Sequence, residues 1–150
     1  MERKKELLAE FAKWKDDVVR YAELDWSKPV APGKWTIHGL VSHMLKWDEF
    51  FLENAIEPIT KEEPLDLGHA DFDTFNREAV AYGEKLSKEE LLEKTLHVRD
   101  KLIEEIEKQE ASQFAKVYED LEGRKISVER YLEDMIEHDR HHAAQIQAVE

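Results

Sequence analysis

The residues of this chain that are best suited to chemistry are its histidines, of which there are seven among 150 residues. The most informative segment is His138-Asp139-Arg140-His141-His142, near the C-terminus. Residues four apart on an α-helix lie on one face, about 6 Å apart along the axis, so the imidazoles of His138 and His142 could bind one ion. His138 and His141, three apart, could do the same. Because the chain has no cysteine, a metal would have to be held by His, Asp or Glu.

The apolar stripe of this C-terminal helix distinguishes the two possibilities. At about 100° per residue, His142 lies about 20° and His138 about 60° from Met135, which is near the centre of the stripe. His141 lies about 120° away, at the boundary or on the surface. The pattern therefore favours His138 and His142 as the inward-facing pair.

The same reasoning applies to the other histidines. His43 lies about 60° from Leu40 on an earlier helix and borders its buried face, whereas His38 lies about 160° away and is predicted to face water. His97 lies opposite the apolar stripe of its own helix, and His69 falls in a predicted loop. Three of the seven histidines are thus predicted to point inward: His43, His138 and His142.

Three inward imidazoles favour one metal site. A single inward histidine is most often a core residue satisfied by a hydrogen bond, but burying three without a ligand is costly. The sequence has neither the His-Glu-x-x-His motif of zinc proteases nor the Glu-x-x-His pairs of di-iron bundles. Three imidazoles would leave at least one coordination position open, as in catalytic rather than closed structural sites.

Acidic and aromatic neighbours could complete such a site. Ligating imidazoles usually donate their second N–H to a carboxylate or carbonyl, and Asp48, Asp134 and Asp139 are close enough along their helices to accept it. Each of these acids could instead face solvent. Trp47, one turn beyond His43, could form a pocket wall or simply belong to the core.

The elements that must position these residues are helices. Apolar residues recur at helical spacing in four long stretches, and Thr36, Ser87 and Ser127 are suitable N-caps for the last three. The sequence predicts an all-α four-helix bundle in one domain, residues 1–150, with long connections after the second and third helices. The predicted helices span about 4–24, 36–58, 87–108 and 127 to the C-terminus, with a shorter helix at about 72–85 and no sustained strand.

Composition excludes several partners. The formal charge of −13, without a basic helical face, disfavours nucleic acid and anionic membrane surfaces. No apolar run approaches membrane-spanning length, and the first residues lead directly into an amphipathic helix. We therefore expect a cytoplasmic protein.

Two segments resemble the DinB superfamily. The first runs from Lys34 to Asp48 and reads KWTIHGLVSHMLKWD, and the second runs from His138 to Ile146; Phe75-Asn76-Arg77 is also similar to the corresponding family stretch. The resemblance implies a metal-binding four-helix bundle in which one histidine of helix two and two histidines four apart on the last helix bind a divalent metal, commonly zinc or nickel. Carried over, these are His43, His138 and His142, and the resemblance gives no role to His38 or His141.

The resemblance also implies a chemistry. Some family members are bacillithiol-transferase-like, which points to a low-molecular-weight thiol that the metal activates to attack an electrophilic small molecule, as in detoxification. A metal-dependent hydrolase of a small substrate is the nearest enzymatic alternative. A non-catalytic, metal-stabilised module that binds a small molecule or a partner protein is the third possibility. A homodimer is also expected from the family.

Overall fold

The computed structural model describes residues 2–68 and 71–149. Within these ranges the chain is mostly helical, and the predicted all-α four-helix bundle is confirmed. The bundle is formed by α1 (Glu2–Tyr21), α2 (Ile37–Phe51), α5 (Lys88–Lys108) and α7 (Val128–Gln147). The shorter helices are α3 (Glu57–Lys61), α4 (Phe72–Glu84) and α6 (Ala111–Ala115).

The core of the bundle follows the apolar periodicity of the sequence. The six apolar residues of α1 that recur at helical spacing are all buried: Leu7, Leu8, Phe11, Trp14, Val18 and Tyr21. On α5, four predicted stripe residues are buried, namely Leu91, Val98, Leu102 and Ile106. Removing these side chains from water is the main favourable term in the folding of the bundle.

The predicted N-caps form as the sequence indicates. The Thr36 hydroxyl accepts a hydrogen bond from the Gly39 N–H at the start of α2, and the Ser127 hydroxyl accepts from the Arg130 N–H at the start of α7. Ser87 and Glu90 form a reciprocal capping box at α5. These side chains satisfy N–H groups that have no partner within the first helical turn.

The second long helix continues beyond its predicted end at Pro58. A π-helical turn, Leu52–Ile56, links α2 directly to α3, and Pro58 lies inside this continuous helical path. Proline has no N–H and its ring crowds the carbonyl four residues earlier. That carbonyl belongs to Asn54, and it accepts a hydrogen bond from the Asp66 N–H at 3.3 Å instead. The start of the long connection predicted after the second helix, residues 58–61, therefore forms one further turn of helix.

The segment between α5 and α7 is the long connection predicted after the third helix. It contains α6 and a small antiparallel hairpin of β1 (Tyr118–Glu119) and β2 (Lys125–Ile126). Gly123, at φ +83°, supplies the left-handed backbone of the turn.

Helix α4 packs tightly against α2, outside the four-helix bundle. The Ser42 hydroxyl donates to the Ala79 carbonyl. The His38 Nε2–H donates to the Gly83 carbonyl at 2.7 Å. The prediction that His38 faces water is therefore wrong: it is half-buried, because α4 covers a face that the pattern of α2 alone leaves exposed.

The described helices do not include one that is long and apolar enough to cross a membrane. The predicted loop position of His69 lies outside the described residues.

The close approach of α4 to α2 depends on Gly83. A Cβ at position 83 would overlap the Ser42 side chain at a separation that real Cβ atoms do not show. We expect Gly83→Ala to lower the free energy of unfolding by about 1–3 kcal/mol through overpacking, as measured by chemical denaturation. Gly39→Ala is the matched control, because the nearest atom to its new Cβ would be 3.4 Å away. Equal effects of the two substitutions would contradict the packing argument.

Candidate metal centre

The structure brings His43, His138 and His142 together. One ring nitrogen from each lies within 4.8 Å of the others, and no second group of three potential metal ligands occurs within the described ranges. His43 comes from α2 and the other two from consecutive turns of α7. His97 and His141 are exposed, as predicted, and remain outside the cluster.

Asn76, on α4, determines which nitrogen of His43 faces the cluster. The Asn76 Oδ1 accepts from the Trp47 Nε1–H at 2.8 Å and lies 3.0 Å from the His43 Nδ1. An indole nitrogen can only donate, so the Asn76 atom must be the oxygen. His43 Nδ1 is therefore protonated, and Nε2 carries the lone pair. The sequence assigned no role to Asn76, although it lies in one of the family-like segments.

His142 is in the same tautomer as His43, with the proton on Nδ1. Its Nδ1 donates to Gln145 Oε1 at 2.6 Å, and its Nε2 lies 3.1 Å from the Nε2 of His138. The Nδ1 of His138 is buried and has no hydrogen-bond partner among the described residues. Two nitrogens bound about 2.1 Å from one tetrahedral ion stand about 3.4 Å apart, which is close to the spacing of the His138 and His142 Nε2 atoms.

Burial keeps these imidazoles neutral. Desolvation, together with the other two histidines, lowers the pKa of His43 from 6.5 to about 4. Desolvation also lowers the pKa of His142 to about 4, and the pKa of His138 falls for the same reason. Since a metal ligand must present an unprotonated nitrogen, the cluster is prepared for metal binding at neutral pH.

A buried ion network lies next to the cluster. Arg99, on α5, is fully buried, and its guanidinium donates to both carboxylate oxygens of Asp48 and of Asp139, at 2.8–3.3 Å. Its Nη1 also donates to the Phe11 carbonyl at 3.0 Å. These five hydrogen bonds match the five N–H groups of a guanidinium. The network joins α1, α2, α5 and α7.

The charges in this network are not balanced, because one guanidinium serves two carboxylates. Burial raises the pKa of Asp48 to about 6 and raises that of Asp139, although Arg99 opposes both shifts. Burial alone would lower the pKa of Arg99, but the two acids outweigh it and raise the pKa. Arg99 therefore stays cationic throughout the physiological range.

None of the three acids that were candidates for orienting the imidazoles does so. Asp48 and Asp139 bind Arg99, and Asp134 is exposed and pairs with Arg130 at 3.1 Å. Amide oxygens of Asn76 and Gln145 take that role instead. A signal for the ion network was present in the sequence: Asp48 lies about 80° from Leu40, Arg99 about 80° from Leu91, and Asp139 about 40° from Met135 around their helices.

A cavity of about 500 Å³ lies between α2 and α7, about one helical turn from the cluster, and none of the three histidines lines it. The two helices run antiparallel there, with His43 facing His138 and His142, and with Phe51 facing Tyr131 at 4.9 Å between ring centroids. Trp47, one turn from His43, and Met135, one turn from His138, line the cavity. Trp47 is thus both a core residue and a pocket wall.

The described residues thus form a helical bundle in which three imidazoles converge on one point. A family model of the DinB superfamily matches residues 5–146. The chain belongs to the DinB superfamily. No curated protein matches the sequence.

Solved structures share the fold at low sequence identity. YfiT from Bacillus subtilis, described as a probable metal-dependent hydrolase with an unusual four-helix bundle topology, superposes with a TM-score of 0.79 at 15% identity, over 98% of this chain and 85% of that protein. A mycothiol-dependent maleylpyruvate isomerase superposes with a TM-score of 0.77 at 18% identity, over 97% of this chain. This chain spans 61% of the isomerase's length.

The lowered pKa values of His43 and His142 predict their protonation state in mildly acidic solution. An unfolded chain binds these protons near pH 6.5, whereas the folded protein binds them only near pH 4. The contribution of both groups to the free energy of unfolding therefore falls as the pH drops through this window. We expect imidazole NMR signals of metal-free protein to show both residues neutral at about pH 5.5. Titration of either near 6.5 would contradict the burial argument.

The Arg99 network predicts a large effect of substitution. Arg99→Met would leave two buried carboxylates without a cation and should lower the free energy of unfolding by about 3–5 kcal/mol, measured by urea denaturation. Arg99→Lys keeps a positive charge but has fewer N–H donors. Its free energy of unfolding should therefore lie between those of the wild type and Arg99→Met, and it should remain measurable if Arg99→Met does not fold. Arg20→Met, which removes an exposed pair with Asp17, is the control and should change little. Similar losses for Arg99 and Arg20 variants would refute the structural role.

Proposed function

We propose that this protein is a metal-dependent thiol S-transferase, in which His43, His138 and His142 hold one divalent transition metal. A bound metal would supply Lewis acidity that lowers the pKa of a thiol placed beside it. The thiol sulfur then forms a bond to an electrophilic carbon, the leaving group departs with the bonding electrons, and the thiol proton passes to solvent. Zinc or nickel as the metal, and a homodimeric assembly, stay predictions of the family resemblance.

The observation that carries this proposal is that hydrogen bonds fix the tautomers of His43 and His142. The amide oxygens of Asn76 and Gln145 accept hydrogen bonds from the Nδ1–H groups of His43 and His142. The Nε2 atoms of the two histidines therefore carry the lone pairs that face the centre of the cluster. Neutral nitrogens suit several divalent ions, and three protein ligands leave a coordination position for a substrate atom. A structural zinc site would instead use four protein ligands.

The surroundings of the cluster support a small-molecule substrate. The adjoining cavity of about 500 Å³ is in the range of small-molecule sites. The fold is shared with an isomerase that depends on the thiol mycothiol, which supports thiol chemistry here. The fold is equally shared with YfiT, a probable hydrolase, and this likeness makes metal-dependent hydrolysis of a small substrate the second candidate.

Metal analysis tests the site. Protein purified without a histidine tag should contain about one transition-metal ion per chain, and His43→Ala, His138→Ala or His142→Ala should lose it. His97→Ala is the matched control, because His97 is exposed on α5, and it should keep the metal. Wild-type protein that stays metal-free after supplementation with zinc and nickel would overturn the proposed site.

A transfer assay tests the chemistry. Metal-loaded protein is incubated with a panel of low-molecular-weight thiols and chlorodinitrobenzene, and the aryl thioether is measured. We expect a rate that depends on the metal, falls to background in His142→Ala and persists in His97→Ala. No metal-dependent rate with any thiol would refute thiol transfer, and metal-dependent cleavage of ester or amide substrates by the same preparation would favour the hydrolase.

A further inference from the structure

The cavity beside the histidine cluster has an aromatic wall. Trp47, Phe50 and Phe51 come from the end of α2, Phe72 from the start of α4, and Tyr131 from α7. The Trp47 ring centroid lies 5.6 Å from those of Phe50 and Phe72 and 6.0 Å from that of Phe51. Such a wall offers flat apolar surfaces to a planar ligand.

Phe72 is the unusual member of this wall, because 64% of its surface is exposed. Large apolar side chains are normally removed from water, and an exposed aromatic at a cavity often marks a binding surface. Phe72 therefore offers a ring to a ligand inside the cavity rather than to the core.

The rim of the same cavity is basic. Arg124, Lys125 and Arg130 line it with one acid, Asp134, in a chain whose net charge is −13. Arg130 pairs with Asp134, and Arg124 pairs with acids of the hairpin. Lys125 has the longest ion pair of the three, since its Nζ is 3.8 Å from Glu119 Oε1, and its side chain is largely exposed. The paired carboxylates offset much of the positive charge of Arg124 and Arg130, so Lys125 is the cation of the rim that is best placed to meet a small anion.

We propose that this cavity binds the electrophilic co-substrate, and that the co-substrate is an aromatic or conjugated carboxylic acid. Its planar body lies against Phe72 and Trp47, and its carboxylate faces Lys125 at the rim. The reacting carbon then points along the groove toward His43 and His138, one helical turn away. This inference deepens the proposed function and depends on it for the reaction, but not for the binding.

Binding is tested with the full chain and two matched probes, 2-naphthoate and the neutral 2-naphthamide, by calorimetry at neutral pH. We expect naphthoate to bind roughly five- to tenfold more tightly than the amide at low salt, and this preference to shrink in high salt. Metal-free and metal-loaded protein should bind naphthoate with similar affinity, because the carboxylate contacts the rim.

Two substitutions locate the ligand. Lys125→Glu should remove the preference for the acid, whereas Lys101→Glu, the same charge change at an exposed position of α5, should not. Phe72→Ala should weaken both probes at least fivefold, by loss of aromatic contact. Val19→Ala, at another exposed apolar side chain, is its control and should leave both affinities unchanged.

Several other outcomes would overturn the inference. Equal affinity for acid and amide, or equal effects of the two lysine substitutions, refutes the basic rim as the anion site. Absence of binding, or no effect of Phe72→Ala, refutes the aromatic wall. Naphthoate binding that requires metal and disappears in His142→Ala would place the carboxylate on the metal. If the protein takes up no metal but still binds naphthoate, the inference about the cavity stands and only the proposed function is refuted.

Discussion

The pairing of Arg99 with two buried carboxylates is the constraint on which the rest of the structure depends. A guanidinium removed from water must satisfy five N–H groups, and it does so with oxygen atoms from the three other helices of the bundle. Asp139 directly follows His138, and Asp48 is five residues beyond His43. The ion network therefore sets the register of α2 against α7, and with it the distance between the histidines.

The imidazoles are held by a second layer of contacts outside the bundle. Helix α4 lies close to α2 because Gly83 has no side chain, and this approach delivers the Asn76 amide to His43. The Asn76 oxygen accepts from both the Trp47 indole and the His43 imidazole, and this arrangement fixes the tautomer of His43. Helix α4, which lies outside the bundle, thus determines which nitrogen of His43 faces the cluster.

The histidine cluster and the aromatic cavity occupy neighbouring parts of one groove. The cluster is buried, and its imidazoles are neutral, because it lies deep between α2 and α7. One turn away, aromatic rings line an open cavity with a basic rim.

The sequence by itself determined the four long helices, their apolar faces and the inward direction of three histidines, because each depends on periodicity and capping within one helix. It did not determine the partners of those histidines. Asn76 and Gln145, rather than Asp48 or Asp139, accept the imidazole protons, and His38 is covered by α4. Only the tertiary structure decided these matters, because a hydrogen bond between side chains of different elements depends on their relative position, which no pattern within one helix encodes.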